Sequence, residues 1–443
     1  MKTHKYGLFT SIAMITGIVI GSGIFFKSDN ILKSTNGNLT DGILVFIVAA
    51  FAIVFGSLTI SQLAMKTDKP GGIITYAEEF CSMPISCAFG WFQSFAYLPS
   101  IAAVVAWVAG IYTCTLFNLP NKLEVQVLLG LGYIIILSIF NTLSARLGGY
   151  IQNGTMIIKL IPLIVIAFAG LAFGNPTESI NYNTVSIGGA GLLSAILPIA
   201  FSFDGWSIST SICHEIKDSK RNLPLALIIS PVIILVVYVL YFVGITSLVG
   251  TENVIAMGDD HVNYAATKLF GEMGGKLILV FIIISVLGTV NGLILGSIRL
   301  PYAMALRNMI PGSKAIKKTS EKLNGMPVNS AILATTLSLI WLGLHYITQK
   351  FNLLPNSDVS EISIVTNYLG YIILYVAVIR LTRKGEIKGV IKGYIIPSLA
   401  ILGALIILLG GIQNPLFPMF LVLCITLVAV SILYVVKNKH NIL

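Results

Sequence analysis

Residues 7–26 read GLFTSIAMITGIVIGSGIFF, an apolar stretch without a charged side chain. Its length matches the ~20 residues that an α-helix needs to cross the hydrocarbon core of a bilayer. It is too long for the apolar region of a signal peptide and lacks a small-residue cleavage site, which indicates a retained span. Gly21, Ser22 and Gly23 lie well inside it. The stretch therefore predicts a membrane helix that can break near its middle, at these residues.

The composition of the whole chain agrees with a membrane protein. Of its 443 residues, 56% are hydrophobic and 10% are charged, and the mean hydropathy is +0.90. Soluble domains carry roughly 25% charged residues, so most soluble folds are excluded. The apolar runs are long and continuous, unlike the alternating segments of ~10 residues in a membrane β-barrel. The sequence predicts an all-α, polytopic membrane protein.

Charge clusters and Pro, Gly and Asn breaks divide the chain into twelve predicted spans. The third and eighth are longer than a bilayer requires, which predicts tilt, a protruding end or a short flanking helix. The predicted spans are 7–34, 41–66, 77–116, 124–145, 148–174, 187–216, 222–250, 263–307, 325–348, 355–382, 391–412 and 414–437.

The lysines and arginines are distributed unevenly between the two ends of these spans. If both termini are cytoplasmic, 21 of the 28 lie at the inner ends and Lys159 lies in mid-span. Positive residues are retained on the cytoplasmic side, so this orientation in the plasma membrane is predicted. The net charge of +10 is therefore explained by the orientation in the membrane. The cations do not cluster with aromatic residues, as they would on a nucleic-acid-binding surface. The six outer cations are Lys27, Lys33, Lys122, Lys268, Lys276 and Lys350.

The sequence gives no sign of catalytic or metal chemistry. The five cysteines and five histidines are scattered, without a C-x-x-C motif or metal-ligand spacing. The longest hydrophilic connections, around 251–262 and 312–324, leave no room for a catalytic domain. We therefore predict no catalytic residues, no metal site and no cofactor.

Two predicted spans contain helix breakers near their middle. The first has Gly21-Ser22-Gly23, and the sixth has Phe203-Asp204-Gly205. Backbone at membrane depth can leave the helix only where it lines a cavity. The breaks are five predicted spans apart. If five spans form a repeating unit, their odd number makes the second unit enter the membrane from the opposite side, as in inverted-repeat transporters. Alternatively, the glycines only allow close helix packing.

A pair of broken helices suits a small zwitterion. The N–H groups that begin the second half of a broken helix favour a carboxylate, and the C=O groups that end its first half favour an ammonium. Glycine permits close approach of a ligand to the backbone. The two breaks therefore predict a binding site for a molecule that carries both charges.

Lys159 and Asp204 are the only charges near the middle of the predicted spans. A lysine at the centre of a span costs ~2.5–3.5 kcal/mol to insert, so it normally has a role. Lys159 can bridge the broken first helix to another helix or carry a transported proton, and the alternative is snorkelling to an interface. Asp204 can contact an ammonium, but its position before Gly205 favours an N-cap for the second half of the sixth helix.

At these positions the chain resembles the amino acid/polyamine/organocation transporters, and most closely their L-type amino acid transporter branch. The likeness covers nearly the whole chain. It rests on four motifs in the family's order: IGSGIF at 20–25; KPGGIITYAEE at 69–79; FSFDGW at 201–206 with HEIK at 214–217 and NLP at 222–224; and GTVNG at 288–292 with Arg299 and YAMA at 302–305.

The resemblance implies a leucine-transporter-like fold with broken first and sixth helices. Residues 1–182 would form one five-helix repeat, 183–384 its inverted copy, and 385–443 two extra helices. The implied function is sodium-independent transport of amino acids by alternating access, as an exchanger of small neutral L-amino acids.

The resemblance also implies roles for individual residues. The substrate α-carboxylate would lie on the backbone of Gly21, Ser22, Gly23 and Ile24, and the α-amine on carbonyls of Ile20, Phe201, Ser202 and Asp204. Phe203 would cover the substrate. Lys159 would take the place of a sodium ion and tie the first helix to the eighth near Ser285, with Tyr241 a weaker candidate in the seventh.

Other functions remain open at this point. A proton-coupled symporter, with Asp204 facing a cationic substrate, is the main alternative. An embedded enzyme would need a nucleophile with its base, or metal ligands, and a channel would not need paired broken helices. Heteromeric animal members of the branch carry a linking cysteine between the third and fourth helices. Residues 117–123 have none, and Cys114 lies within the span, so no covalent heavy-chain partner is expected.

Overall fold

The computed structural model describes most of the chain and is helical throughout the part that it describes. An isolated bridge pairs Ser320 with Met326. The described residues are 7–21, 23–67, 72–143, 145–186, 188–207, 216–323, 325–354, 357–414 and 417–438.

The described residues of the first half of the chain form ten α-helices. Their bounds are α1 Leu8–Val19, α2 Gly23–Ser34, α3 Leu39–Ala64, α4 Ile73–Phe80, α5 Met83–Phe92, α6 Leu98–Leu116, α7 Leu123–Leu143, α8 Ala145–Phe173, α9 Pro176–Asn181 and α10 Gly188–Ser202. A π-helical turn, Gln93–Tyr97, joins α5 to α6.

In the second half, the described residues form eight more α-helices. They are α11 Ser219–Val249, α12 Thr251–Met257, α13 His261–Leu306, α14 Ser313–Ile316, α15 Val328–Lys350, α16 Val359–Arg383, α17 Ile396–Ile412 and α18 Phe417–Lys437. A 3-10 turn, Gly258–Asp260, connects α12 to α13, and a π-helical turn, Ile391–Ile395, precedes α17.

The helices are long and apolar enough for a membrane protein that crosses the bilayer several times. Within the described ranges, nine helical segments meet the length and hydropathy of a span, and two shorter apolar helices cover Ile158–Phe173 and Gly191–Ser202. Large apolar side chains are exposed on the outward faces of α7, α17 and α18, where lipid replaces water as the solvent. Examples are Leu128, Ile139, Leu405, Leu409 and Val422.

The two longest predicted spans, the third and the eighth, each include a short flanking helix, one of the outcomes that their length predicts. The third predicted span begins at residue 77, whereas α4 ends at Phe80 and a new helix starts at Met83, with Pro84 in its first turn. Proline fits the first turn of a helix because its missing N–H would have no partner there. In the eighth predicted span, Gly271 has φ 69° and ψ −179°, which separates a short flanking helix from the long one.

The helices that carry the glycine break, the end of α10 and Lys159 pack together. α8 lies against α11 and α13, α1 lies against α11 and α8, and α10 lies against α2 and α17. This packing brings the glycine break, the Phe203–Gly205 segment and Lys159 into one region of the bundle.

Candidate functional site

The first predicted span is interrupted at Ile20 and Gly21. α1 ends at Val19, Ile20 is extended with φ −69° and ψ 99°, and α2 begins at Gly23. Ser22 lies outside the described residues. Because a helix end leaves backbone groups without intrahelical partners, the interruption leaves carbonyls at the end of α1 and N–H groups at the start of α2.

The helix in the sixth predicted span ends well before the predicted end of the span at residue 216. α10 ends at Ser202, and Phe203, Asp204 and Gly205 form a turn. Gly205 has φ +96°, a backbone conformation that L side chains rarely adopt and glycine adopts freely. The continuation through 208–215, including His214 and Glu215, lies outside the described residues.

The two interruptions lie against each other. A Cβ atom added to Gly23 would sit 2.7 Å from Ser202 Cα and 3.0 Å from Phe201 Cδ1. A Cβ added to Gly21 would sit 2.8 Å from Thr289 Oγ1. A larger residue would obstruct a close contact at each glycine, with the Thr289 side chain at Gly21 and with the Ser202 backbone at Gly23. The break in the first span and the end of α10, far apart in the sequence, therefore meet at one point of the bundle.

Tyr238 of α11 connects the two interrupted helices. Its buried hydroxyl lies 2.7 Å from the Ser202 carbonyl oxygen and 3.1 Å from the Val19 carbonyl oxygen, so one proton is shared between two helix ends. The resemblance points instead to Tyr241, whose hydroxyl has no hydrogen-bond partner in the described part of the chain. The Tyr241 ring contacts Phe25 edge-on at 5.6 Å.

Lys159 bridges three helices in the interior. Its side chain is 1% exposed, and Nζ donates to the Gly17 carbonyl at 2.9 Å and to Thr289 Oγ1 at 3.0 Å. Snorkelling is therefore absent in this structure, since the ammonium is enclosed by α1 and α13. The hydroxyl that it reaches belongs to Thr289, one turn beyond Ser285. Ser285 Oγ is buried without a hydrogen-bond partner among the described residues.

Asp204 accepts a hydrogen bond from a residue that the sequence did not indicate. The Tyr97 hydroxyl donates to Asp204 Oδ2 at 2.5 Å. Tyr97 ends the π-helical turn between α5 and α6, a type of distortion that is frequent at functional sites. The segment that Asp204 would cap lies mostly outside the described residues, so the N-cap role stays a prediction.

Phe203 packs into an aromatic cluster in this structure. Its ring is fully buried and contacts Tyr238 at 5.1 Å and Phe46 at 6.3 Å between centroids. Its role as a cover over the substrate therefore stays a prediction. The Phe201 ring lies below the Lys27 ammonium, 5.1 Å from Nζ to the centroid, a distance typical of cation–π contacts.

A series of polar side chains forms hydrogen bonds between three elements of this region. Gln93 donates to Asn367 at 3.0 Å, Asn367 donates to the Tyr371 hydroxyl at 2.9 Å, and Tyr371 donates to Ser207 at 2.7 Å. These side chains connect the π-helical turn, α16 and the segment after α10. Buried polar groups require hydrogen-bond partners. This series of hydrogen bonds therefore holds the three elements in place relative to one another.

Lys27 forms a buried ion cluster beside the site. Its ammonium lies 2.8 Å from Asp358 Oδ2 and also donates to Glu361 Oε1. The side chains are 1%, 3% and 0% exposed, respectively. The sequence indicated only an outer lysine here. The partners lie more than 330 residues away, and the spacing of Asp358 and Glu361 on one helix face is the sole local signal.

A sequence model of the amino acid permease family matches residues 6–436, which is nearly the whole chain. The chain belongs to the amino acid permease family. This finding agrees with the resemblance to amino acid/polyamine/organocation transporters.

Among the residues that the structure describes, no group of three or more His, Cys, Asp or Glu side chains is placed to hold a metal ion.

Individual members of the permease family are similar over most of their length. The serine/threonine exchanger SteT of Bacillus subtilis is 28% identical over 442 residues, 98% of this chain and 97% of that protein. The b(0,+)-type amino acid transporter 1 of Mus musculus is 27% identical, with 92% and 82% covered. The human cystine/glutamate transporter is 24% identical, with 70% and 62% covered. This permease is therefore a multi-pass membrane transporter of amino acids and not an enzyme.

Proposed function

We propose that this permease is a sodium-independent exchanger of small neutral L-amino acids that works by alternating access. The observation that carries the proposal is the Lys159 ammonium, fixed between the Gly17 carbonyl and Thr289 beside the break in the first helix. A resident cation at this point removes the need for a transported one. The similarity to a serine/threonine exchanger over nearly the full length supports exchange and a small substrate.

The substrate would be held by backbone at the two interruptions. An α-carboxylate suits the N–H groups at the start of α2, and an α-ammonium suits the carbonyls at the end of α10. Close contact between Gly23 and Ser202 supports one site shared by both breaks. The proposed substrate-binding residues are Ile20, Gly21, Ser22, Gly23, Ile24, Phe201, Ser202, Phe203 and Asp204, with Lys159, Ser285 and Tyr241 in coupling and Thr289 and Tyr238 added from the structure.

The proposed architecture is the leucine-transporter-like fold with twelve spans. Residues 1–182 and 183–384 would be the inverted repeats, and 385–443 the two additional helices. Both termini would be cytoplasmic and the membrane would be the plasma membrane, since the lysines and arginines favour that orientation. We further propose that the permease works without a covalent heavy chain, because 117–123 has no cysteine and Cys114 is buried and free.

Counterflow in proteoliposomes tests the proposal. Uptake of labelled serine should be fast when the vesicles contain unlabelled serine and close to background when they are empty. A neutral amino acid inside the vesicle should replace serine, whereas an internal organic amine should not. Equal uptake into empty and loaded vesicles would contradict exchange.

A proton-coupled symporter is the second candidate, because Asp204 is a carboxyl group at the second break, hydrogen-bonded to the Tyr97 hydroxyl. A symporter would fill empty vesicles when the outside is more acidic than the inside. The Asp204→Asn variant would then lose this uptake. An exchanger does not accumulate substrate under these conditions.

A further inference from the structure

The buried cluster of Lys27, Asp358 and Glu361 carries unequal charge. One ammonium faces two carboxylates, and all three side chains are shielded from solvent. The other donors that reach the carboxylates from the described residues are uncharged. They are the backbone N–H groups of Ser360 and Glu361 and the Ser360 hydroxyl on Asp358, and the Ser357 hydroxyl on Glu361. An unpaired buried charge is costly, and a bound proton removes it.

The hydrogen bonds differ between the two carboxylates. Asp358 Oδ1 accepts from backbone N–H groups and from the Ser360 hydroxyl, all of which stabilise an anion. Among the described residues, the hydrogen-bond partner of Glu361 Oε2 is the Ser357 hydroxyl, 2.5 Å away. A hydroxyl can accept a hydrogen bond as well as donate one. The Glu361 carboxyl group is therefore the member of the cluster that can hold a proton and keep both of its contacts.

Other titratable groups surround the cluster. From α15, His345 is buried with both ring nitrogens unpartnered among the described residues, and it lies within electrostatic range of Asp358. On α2, Lys33 and Asp29 pair at 2.8 Å. Asp259 and Asp260 belong to the 3-10 turn that packs against α2, and α10 contributes the uncharged Phe201 ring.

The cluster connects α2 to α16, and in the proposed alternating-access cycle these two elements separate when the site opens to the outside. Lys27 lies one turn beyond Gly23 on α2, and the two carboxylates lie at the start of α16. The Phe201 ring fills the space below the ammonium. On the proposed topology this is the outer side of the site. With all three charges buried, the structure has α2 and α16 closed against each other.

We propose that this cluster is a proton-binding site, in which Glu361 takes up one proton from the outer solution when α2 closes onto α16. The proton returns to the same solution when the two helices separate and water reaches the carboxylate. The proton is therefore bound and released on one side and is not transported, which is compatible with exchange. The inference rests on the proposed topology and transport cycle.

Accessibility of α2 tests the proposal without requiring transport. Ser28 is fully buried next to Lys27. A Ser28→Cys variant in proteoliposomes should react with a membrane-impermeant maleimide only while α2 and α16 are apart. Its labelling is normalised to Thr184→Cys, an exposed position on the same proposed side, which corrects for thiol reactivity. The chain without either substitution corrects for the native cysteines.

Between about pH 8 and about pH 5.5 outside, the normalised labelling should fall, by at most about tenfold per pH unit for one proton. The pH inside should have no effect. Adding Glu361→Gln leaves one ammonium and one carboxylate, so the labelling should lose its pH dependence. Adding Glu124→Gln, which alters an exposed outer carboxylate, should preserve it.

Two results would overturn the proposal: pH dependence that persists in Glu361→Gln, and dependence on the inner pH. Loss of the dependence in His345→Gln together with its persistence in Glu361→Gln would assign the proton to His345. Because labelling is independent of substrate, a permease that fails to exchange serine would refute the proposed function and leave this test intact.

Discussion

The ammonium of Lys159 and the hydroxyl of Thr289 lie 3.0 Å apart in the interior of the bundle. The same ammonium reaches the Gly17 carbonyl, and the same hydroxyl would contact a side chain at Gly21. One cation thus connects α1 to α13 beside the first interruption. A change of conformation at the interruption must therefore strain or break these contacts.

Removing this cation should disturb transport more than folding. Lys159→Ala deletes a charge-assisted contact worth about 1.5–3 kcal/mol. Since about 1.4 kcal/mol is tenfold in an equilibrium, serine exchange should fall by about tenfold or more. Insertion should persist because a buried charge is lost, and monodispersity of the purified protein checks this. Lys122→Ala, at an exposed cation, is the control. Wild-type exchange by Lys159→Ala would show that the lysine lies outside the mechanism.

Sodium should have no role in transport. The Lys159 ammonium sits beside the broken first helix, and its charge would repel a second cation there. Replacing external sodium by choline should leave the initial rate of serine exchange unchanged. The measurement is made at constant ionic strength, so that screening of surface charge is equal in both buffers. A steep dependence on sodium would exclude the proposed coupling.

The pair Tyr238 and Tyr241 offers a matched comparison. Tyr238→Phe removes a hydroxyl that touches carbonyls at the ends of α1 and α10, whereas Tyr241→Phe removes one without a hydrogen-bond partner in the described ranges. A neutral hydrogen bond contributes about 0.5–1.5 kcal/mol. We expect exchange by Tyr238→Phe to fall several-fold, with a raised KM for serine, and Tyr241→Phe to remain near wild type. The reverse order would favour the assignment based on resemblance.

The glycines predicted the break in the first helix, and the spacing of the two breaks predicted that they would meet. The breaks themselves are encoded locally, because glycine lets the backbone leave the helical conformation. The choice between Tyr238 and Tyr241 is not local. Residues three apart share a helix face, so only packing against α1 and α10 decides which hydroxyl reaches the site. Likewise, only packing decides that Lys159 reaches the hydroxyl of Thr289 and not that of Ser285.

Other parts of the site have little signal in the sequence. Tyr97 lies in a mostly apolar span, and its direction depends on the π-helical turn that it ends. Lys27 resembles any interfacial lysine until the chain folds and brings Asp358 and Glu361 against it. Pairings across more than 300 residues depend on how the bundle closes, and the sequence pattern around each partner does not contain that information.

Gly23 should tolerate no side chain. A Cβ atom there would lie 2.7 Å from the Cα atom of Ser202, so backbone would have to move. Gly23→Ala should therefore separate the two interruptions and reduce serine exchange by tenfold or more. Gly132→Ala is the control, since a Cβ at that position of α7 meets nothing within 4 Å. Equal exchange by the two variants would show that contact between the breaks is dispensable.

Recognition should require both charges of the substrate backbone. The carboxylate would bind N–H groups at the start of α2, and the ammonium would bind carbonyls at the end of α10. Each analogue that lacks one charge leaves a set of desolvated backbone groups unpaired, at a cost of about 1–3 kcal/mol for each group. Decarboxylated amines and N-acetylated amino acids should therefore compete at least about tenfold more weakly than serine for exchange into loaded vesicles. Serine, alanine and threonine differ only in the side chain and calibrate the assay. If amines competed as well as amino acids, the carboxylate would be dispensable and a transporter of organic cations would replace the proposed function.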